Sequence, residues 1–381
     1  MTMEGKIVEA YTAEHREELR RLTETLCRIP APLNGERARA EFCKAWLEAR
    51  GAKDVRLDGA DNAVLELNAG ASGRLTVFMA HTDTVFPDTA PMEVRRENGR
   101  MLCPGVGDDT ANLAVLLLPA RFLLERDIRP AGGFLLAANS GEEGLGNLKG
   151  CRRLMEDYRG RVARVISFDG YEDQIWNRAV GSSRYRVTLR TEGGHSFRDF
   201  GCRNAIAQLA QMIGALYAIR PVWGPAGSTT TYNVGAIRGG TSVNTIAQEA
   251  SMLYEYRSDA AEGLAGMEEA FQSVAAAWRA MGVSVEVESL GRRPCASPDL
   301  DQAAQRELTE QCAAILKRCT GRVPRVESGS TDCNIPLSLG IPALSFGVCA
   351  GGGAHTREEW IETDSLERGL RIAIETMLRF A

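Results

Sequence analysis

Five short apolar runs, almost free of polar interruptions and spaced by helical stretches, constrain this chain more than any other feature. They cover residues 63–67, 75–79, 133–137, 162–168 and 342–348. A strand that reads apolar throughout is buried on both faces, so helices must cover both sides of the sheet it belongs to. Helical spacing supplies them at residues 12–28, 36–50, 111–125, 300–319 and 365–380, with Pro30-Ala31-Pro32 punctuating the first pair. A further strand is expected near 323–326. The pattern predicts an α/β sandwich with a mostly parallel sheet.

The texture changes between residues 182 and 290. The order there is strand 183–190, helix 204–219, strands 229–237 and 247–257, helix 264–281 and strand 283–288. This βαββαβ order is the split, ferredoxin-like arrangement. Its first strand alternates in polarity (Tyr185-Arg186-Val187-Thr188-Leu189-Arg190), which suits a sheet with one wet face. The expected organisation is an α/β domain, residues 1–181 and 291–381, interrupted by an inserted lid at 182–290.

Charge and composition remove several classes of function. Lys and Arg number 45 against 50 Asp and Glu, a net charge of -5 with no basic run, so nucleic acid is not an expected partner. The hydrophobic content of 44% argues against disorder. The most apolar stretch, 111–124, is broken by Pro119 and Arg121 and is too short to span a bilayer. The first 22 residues are charged throughout and carry no apolar secretory segment. Ten cysteines are scattered without CxxC pairs, and Cys27, Cys43, Cys312 and Cys349 fall in apolar segments. These read as reduced, buried thiols of a cytoplasmic protein.

The chemistry-bearing residues follow the apolar runs. Of four histidines, His15 lies in a polar helix and is expected at the surface. His81 closes the 75–80 run, and Asp83, two residues on in extended chain, points the same way and can orient it. Asp108-Asp109 sits between a glycine-rich turn and a helix start, where a single Asp would suffice as a cap. Glu142-Glu143 follows one buried strand and Asp169 another. His355 lies beyond a third, after Gly351-Gly352-Gly353. Ligands of open α/β sheets bind outside the carboxyl ends of the strands. Two imidazoles and three or four carboxylates exceed the needs of one four-coordinate ion and suit two, about 3.5–4 Å apart. The residues therefore point to a dinuclear hydrolase holding Zn2+, with Co2+ or Mn2+ as alternatives.

The set His81-Thr82-Asp83, Gly107-Asp108-Asp109, Gly141-Glu142-Glu143-Gly144, Ser167-Phe168-Asp169-Gly170, Gly193-Gly194-His195-Ser196 and Ala354-His355 resembles the M20 zinc metallopeptidases. That family includes tripeptidases, glutamate carboxypeptidases, aminoacylases and succinyl-diaminopimelate deacylases. The likeness covers nearly the whole chain, in the family's motif order, and the lid matches the family's dimerisation domain. The resemblance implies that His81, Asp108 and Asp169 hold one zinc and that Asp108, Glu143 and His355 hold the other, with Asp108 bridging. It implies Glu142 as general base, Asp83 as the carboxylate behind His81, and His195 as a lid residue serving the neighbouring subunit's site. Asn244 matches a substrate-binding asparagine and Arg257 an arginine that grips a substrate carboxylate, a task suited to its planar fork.

Two positions depart from the common pattern. Asp109-Thr110-Ala111 stands where Lys-Gly or a similar pair often follows the bridging acid, and Ala247 stands where a Pro is common. Asp169 in place of Glu resembles the aminoacylase and peptidase branches more than the desuccinylases. The resemblance implies a homodimer, joined through the lid, that cleaves an amide bond in short peptides or N-acyl amino acids bearing a free carboxylate. A metal-binding scaffold would lack a base or a ligand, and none is missing. A dinuclear phosphoesterase would want several cationic groups around the metals.

Overall fold

Chain segments that are apolar throughout pair side by side at the centre of the molecule. The computed structural model describes residues 3–68, 70 and 73–381, in two compact units, Met1–Ala179 with Ser297–Ala381 and Val180–Ala296. The first unit opens with helices α1 (Met3–Cys27) and α2 (Arg37–Glu48) and strands β1 (Arg56–Leu57), β2 (Ala63–Leu67) and β3 (Leu75–His81). Helix α3 (Ala111–Glu125), β4 (Phe134–Asn139), α4 (Lys149–Asp157), β5 (Val162–Phe168) and β6 (Gln174–Ala179) follow. The second unit carries β7 (Gly181–Arg190), α5 (Ala205–Tyr217), β8 (Thr230–Gly239), β9 (Glu249–Ser258), α6 (Ala261–Ala280) and β10 (Ser284–Arg293). The chain then returns to the first unit with α7 (Gln302–Thr320), β11 (Arg325–Gly329), β12 (Ala343–Phe346) and α8 (Ser365–Arg379).

The sheet of the first unit has the order β1-β2-β4-β3-β5-β12-β6-β11. Its four central strands, β4, β3, β5 and β12, run parallel, whereas β2 and β6 join them antiparallel. Every residue of β3, β4 and β12 is buried. One phenylalanine from each central strand ties them together in a row. Phe134 meets Phe78 edge-on at 5.0 Å, Phe78 lies near Phe168 at 6.1 Å, and Phe168 meets Phe346 edge-on at 5.6 Å.

The second unit is a four-stranded antiparallel sheet in the order β8-β9-β7-β10. Tyr185, Val187, Leu189, Met252, Tyr254 and Phe271 fill its dry side under α5 and α6. Asn204 starts α5 by accepting from the N–H groups of Ile206 and Ala207. The βαββαβ order and the one wet face match the reading of the sequence. Strand β10 runs past the expected end at 288 to Arg293, because Gly291, Arg292 and Arg293 resume pairing with β7 after a bulge.

Two expectations are corrected. His15 is buried, stacked on Tyr11 at 3.9 Å with its Nδ1 2.9 Å from the Tyr11 carbonyl, because α8 and α3 cover the helix that carries it. A second small sheet was also not anticipated: Gly351–Gly352, Trp360–Glu362, Arg100–Leu102 and Arg95–Glu97 pair in that order. Its strands are two or three residues long, too short to leave a periodic signal.

Gly347, just past β12, packs so tightly on the segment after β5 that a Cβ there would lie 1.9 Å from the Gly170 carbonyl oxygen. Gly347→Ala should lower stability by about 1–3 kcal/mol, read as a lower urea midpoint at unchanged slope.

Candidate metal centre

The four parallel strands deliver the site, because each ends where a polar residue begins. Strand β3 ends at His81 and β4 leads to Glu142 and Glu143. Strand β5 leads to Asp169, and β12 leads toward His355. Asp108 stands in the turn before α3. The apolar runs thus fix, to within a few residues, where each loop leaves the sheet.

Asp108 lies between the two imidazoles. Its Oδ1 is 3.0 Å from His81 Nε2 and its Oδ2 is 3.1 Å from His355 Nε2. Glu143 Oε1 is 3.4 Å from the same His355 nitrogen. Donor atoms gather in three sets, each with its atoms within 4.8 Å of one another: His81 with Asp108, Asp109 and Asp169; His81 with Glu142 and Glu143; and Asp108 with Glu143 and His355. Mixed imidazole and carboxylate donors around a carboxylate with one oxygen toward each set fit two divalent ions.

The electrostatics match a cation site. Burial, with Asp108 and Glu142 adding to it, pushes the Glu143 carboxyl up to about 7. Burial and the Asp108 charge also raise Asp169 well above the usual carboxylate range. Burial would raise Asp108 as well, but hydrogen bonds from His355 and His81 hold it far below that range. The same hydrogen bond from Asp108, then that from Glu143, lifts His355 to about 11. These groups share protons where a divalent ion would supply the positive charge.

A surrounding set of residues orients the donors. Asp83 accepts from the N–H groups of Glu142 (3.1 Å) and Glu143 (2.8 Å), so it anchors the loop carrying both glutamates. The Asp83 carbonyl oxygen, 3.0 Å from His81 Nδ1, turns Nε2 toward Asp108. Asp109 is not a helix cap. It accepts from the His81 N–H at 2.8 Å and the Asn112 amide at 2.7 Å.

Sequence reasoning missed three of these supports. Glu359, fully buried, accepts from the N–H groups of Gly105 (2.6 Å), Gly107 (2.8 Å) and Asp108 (2.8 Å). Burial and the Asp108 charge push its carboxyl up to about 8, against those three donors. Asn112 joins the loops through the Gly170 carbonyl and the Val348 N–H, each at 2.9 Å. It is the one polar residue in the run Ala111–Pro119, which was the available signal. Asp332 is buried and accepts from Asn139 at 2.5 Å. Its motif, Gly329-Ser330-Thr331-Asp332, was visible, but its role was not.

The remaining expected residues lie in the second unit. His195 pairs opposite Thr245 on a short two-stranded ladder, and the Ser196 N–H donates to the Asn244 carbonyl at 3.0 Å, so His195 and Asn244 are neighbours. His195 Nδ1 accepts from the N–H of Phe197 at 3.2 Å. That bond selects the tautomer with its proton on Nε2. Arg257 stands on β9 and forks onto Glu255, with 3.2 Å at both Nε and Nη2.

Comparison with known proteins shows the family and the fold. The sequence profile of Peptidase family M20/M25/M40 matches residues 77–379. A succinyl-diaminopimelate desuccinylase from Bordetella petrii is 26% identical over 342 residues, 84% of this chain and 87% of that protein. In fold, a tripeptidase from Staphylococcus aureus aligns with a TM-score of 0.75 at 22% identity, over 95% of this chain and 98% of that one. The di-peptidase Dug1p from Saccharomyces cerevisiae aligns at 0.76 and 14% identity, over 100% and 99%.

Glu359→Gln removes one of the two oxygens that gather the Asp108 loop. It should weaken metal binding by about 10–100-fold with the far-ultraviolet circular dichroism unchanged, measured by chelator competition.

Proposed function

The chain belongs to peptidase family M20/M25/M40, and from that premise we propose that it is a two-metal hydrolase acting on an amide bond of short peptides or N-acyl amino acids with a free carboxylate. The observation that carries this reading is Asp108, with one oxygen on each of two imidazoles. His81, Asp108 and Asp169 would hold one ion, and Asp108, Glu143 and His355 the other. Zinc suits this donor set, and Co2+ or Mn2+ are the alternatives. The ions, when bound, acidify a water and polarise the scissile carbonyl.

The protein's own residues do the rest. Glu142 takes the proton of the attacking water and returns it to the leaving amine, so the carboxylate ends as it began. Asp83 fixes the backbone of Glu142. His195, held with its proton on Nε2, donates to the oxygen on which negative charge develops. Asn244 and Arg257 hold the substrate's carboxylate. Nothing expected of the base or ligands is missing, which disfavours a binding scaffold.

We also propose a homodimer through the lid, in which His195 serves the partner's site. Strand β8 is a sheet edge with Ile237 exposed. Phe197 and Phe200, just after His195 in the sequence, and Val243, just before Asn244, are 86%, 89% and 101% exposed, apolar surface that suits burial by a second copy. Eight buried thiols among the ten cysteines support a cytoplasmic setting. Among the described residues, no helix is long and apolar enough to cross a membrane.

Chelation should abolish amine release from di- and tripeptides or N-acyl amino acids, and zinc, cobalt or manganese should restore it. Glu142→Gln should lower turnover at least about a hundredfold while metal content by mass spectrometry stays near two per chain. Loss of metal along with activity would instead make Glu142 a ligand. Sedimentation velocity should give twice the 41.4 kDa chain mass, and a monomer at micromolar concentration would refute the shared site.

A further inference from the structure

One aromatic side chain meets the segments that carry Asp108, Asp169 and His355. Tyr171 follows Asp169 by two residues and packs, half-buried, against the core of the first unit. A Cβ added at Gly107, the residue before Asp108, would lie 2.6 Å from Tyr171 Cε1 and 3.0 Å from its hydroxyl oxygen. A Cβ added at Gly351, where the loop to His355 begins, would lie 2.5 Å from the same Cε1. One edge of the ring therefore fills the gap between the two backbones, and neither leaves room there for a side chain.

The ring stands on a rigid mount. On one side of it the Asp169 N–H donates to the Phe346 carbonyl at 3.0 Å, and on the other the Glu172 N–H donates to the Cys349 carbonyl at 3.0 Å. Arg368 grips the Glu172 carboxylate at 2.9 and 2.6 Å, and the Gly170 carbonyl accepts from Asn112 at 2.9 Å. Glu359 precedes the strand Trp360–Glu362 that pairs with Gly351–Gly352, and it gathers the N–H groups of the Asp108 turn. These hydrogen bonds draw the turn and the hairpin together, and the ring packed between them limits the approach.

We propose that Tyr171 is a positioning residue of the metal centre. Its ring sets the gap between the Asp108 turn and the His355 loop at which Asp108 Oδ2 stands 3.1 Å from His355 Nε2. This rests on the reading of Asp108 as the carboxylate shared by two ions. Donor atoms must be held within about 0.5 Å of their working geometry, and a shorter side chain at 171 leaves a gap that neither glycine can fill. The role belongs to the ring, because Cε1 makes the nearest contact with both glycines.

The test uses Co2+, whose visible absorption reports its coordination. Chelator competition should show Tyr171→Leu weakening Co2+ binding at least about tenfold, with altered absorption bands and unchanged far-ultraviolet circular dichroism. Tyr171→Phe should bind within about threefold of the unaltered protein, with the same bands. Unchanged binding in Tyr171→Leu, or an equal loss in Tyr171→Phe, would overturn the proposal. If Tyr171→Leu does not fold, Gly107→Ala presses on the same ring edge and should weaken Co2+ binding by a similar factor, and unchanged binding there overturns it as well. Amide hydrogen exchange separates this from failure of the two-ion reading. In the metal-free protein Tyr171→Leu should speed exchange of peptides covering 105–109 and 351–356 at least about fivefold and leave those covering β3 and β4 unchanged. Fewer than two Co2+ per chain in the unaltered protein would overturn the two-ion reading, and the exchange result then decides the proposal: faster exchange in both loops supports it, and unchanged exchange overturns it.

Discussion

Buried negative charge at one end of the central sheet is the constraint on which the rest of the structure depends. Asp83, Asp109, Glu142, Glu143, Asp169 and Asp332 are all buried there, and Asp108 stands among them. Like charges in a poorly solvated space cannot all remain ionised without positive charge close by. The surrounding carboxylates raise both His81 and His355 above the ordinary imidazole range. Arg39 adds a fully buried guanidinium, spent on the Ile29 and Thr82 carbonyls and the Thr110 hydroxyl. The arrangement favours ions of higher charge, and the family's metal dependence follows from that electrostatic demand.

Holding such a cluster requires stiff supports. The phenylalanine row across β4, β3, β5 and β12 packs the four strands against one another. Beyond those ends the backbone itself is pinned. Asp83 holds the two glutamates, and Asn112 ties the segments after Asp169 and before His355. Glu359 gathers the Asp108 turn, where Gly107 permits the approach: a Cβ there would lie 2.6 Å from the Tyr171 ring. His355 itself sits at φ +65, a left-handed conformation that costs a non-glycine residue about 1–2 kcal/mol and persists because its surroundings over-determine it.

The second unit solves a different problem. Its dry side is a conventional aromatic and aliphatic core beneath two helices, with the Tyr185 and Tyr256 hydroxyls turned to Glu268. Its wet side carries ion pairs across the strands, Arg186 with Glu288 and Arg190 with Glu249 and Glu286. Sheet register, which places every second residue on the same face, brings these scattered charges opposite one another.

The sequence by itself determined the buried central strands and the change of texture after residue 181, and it named the polar residues that follow those strands. Short apolar runs bounded by turn residues form the buried strands, and His81, Glu143 and Asp169 are found by looking just past their ends. Asp108 and His355 were named from motifs, but their closeness was not derivable. It is made by a hairpin around Trp360 pairing with Arg100–Leu102, more than 250 residues away in the chain. Glu359 and Asn112 carry no local signature of their role, because their partners lie across the fold. His15 shows the converse, since a polar helix face reads as surface until another helix covers it. Local pattern fixes which residues leave the core and in what order, through backbone periodicity and burial. Only the tertiary structure decides which of them meet, because hydrogen bonds and charge pairs depend on distance in space and carry no trace in the spacing along the chain.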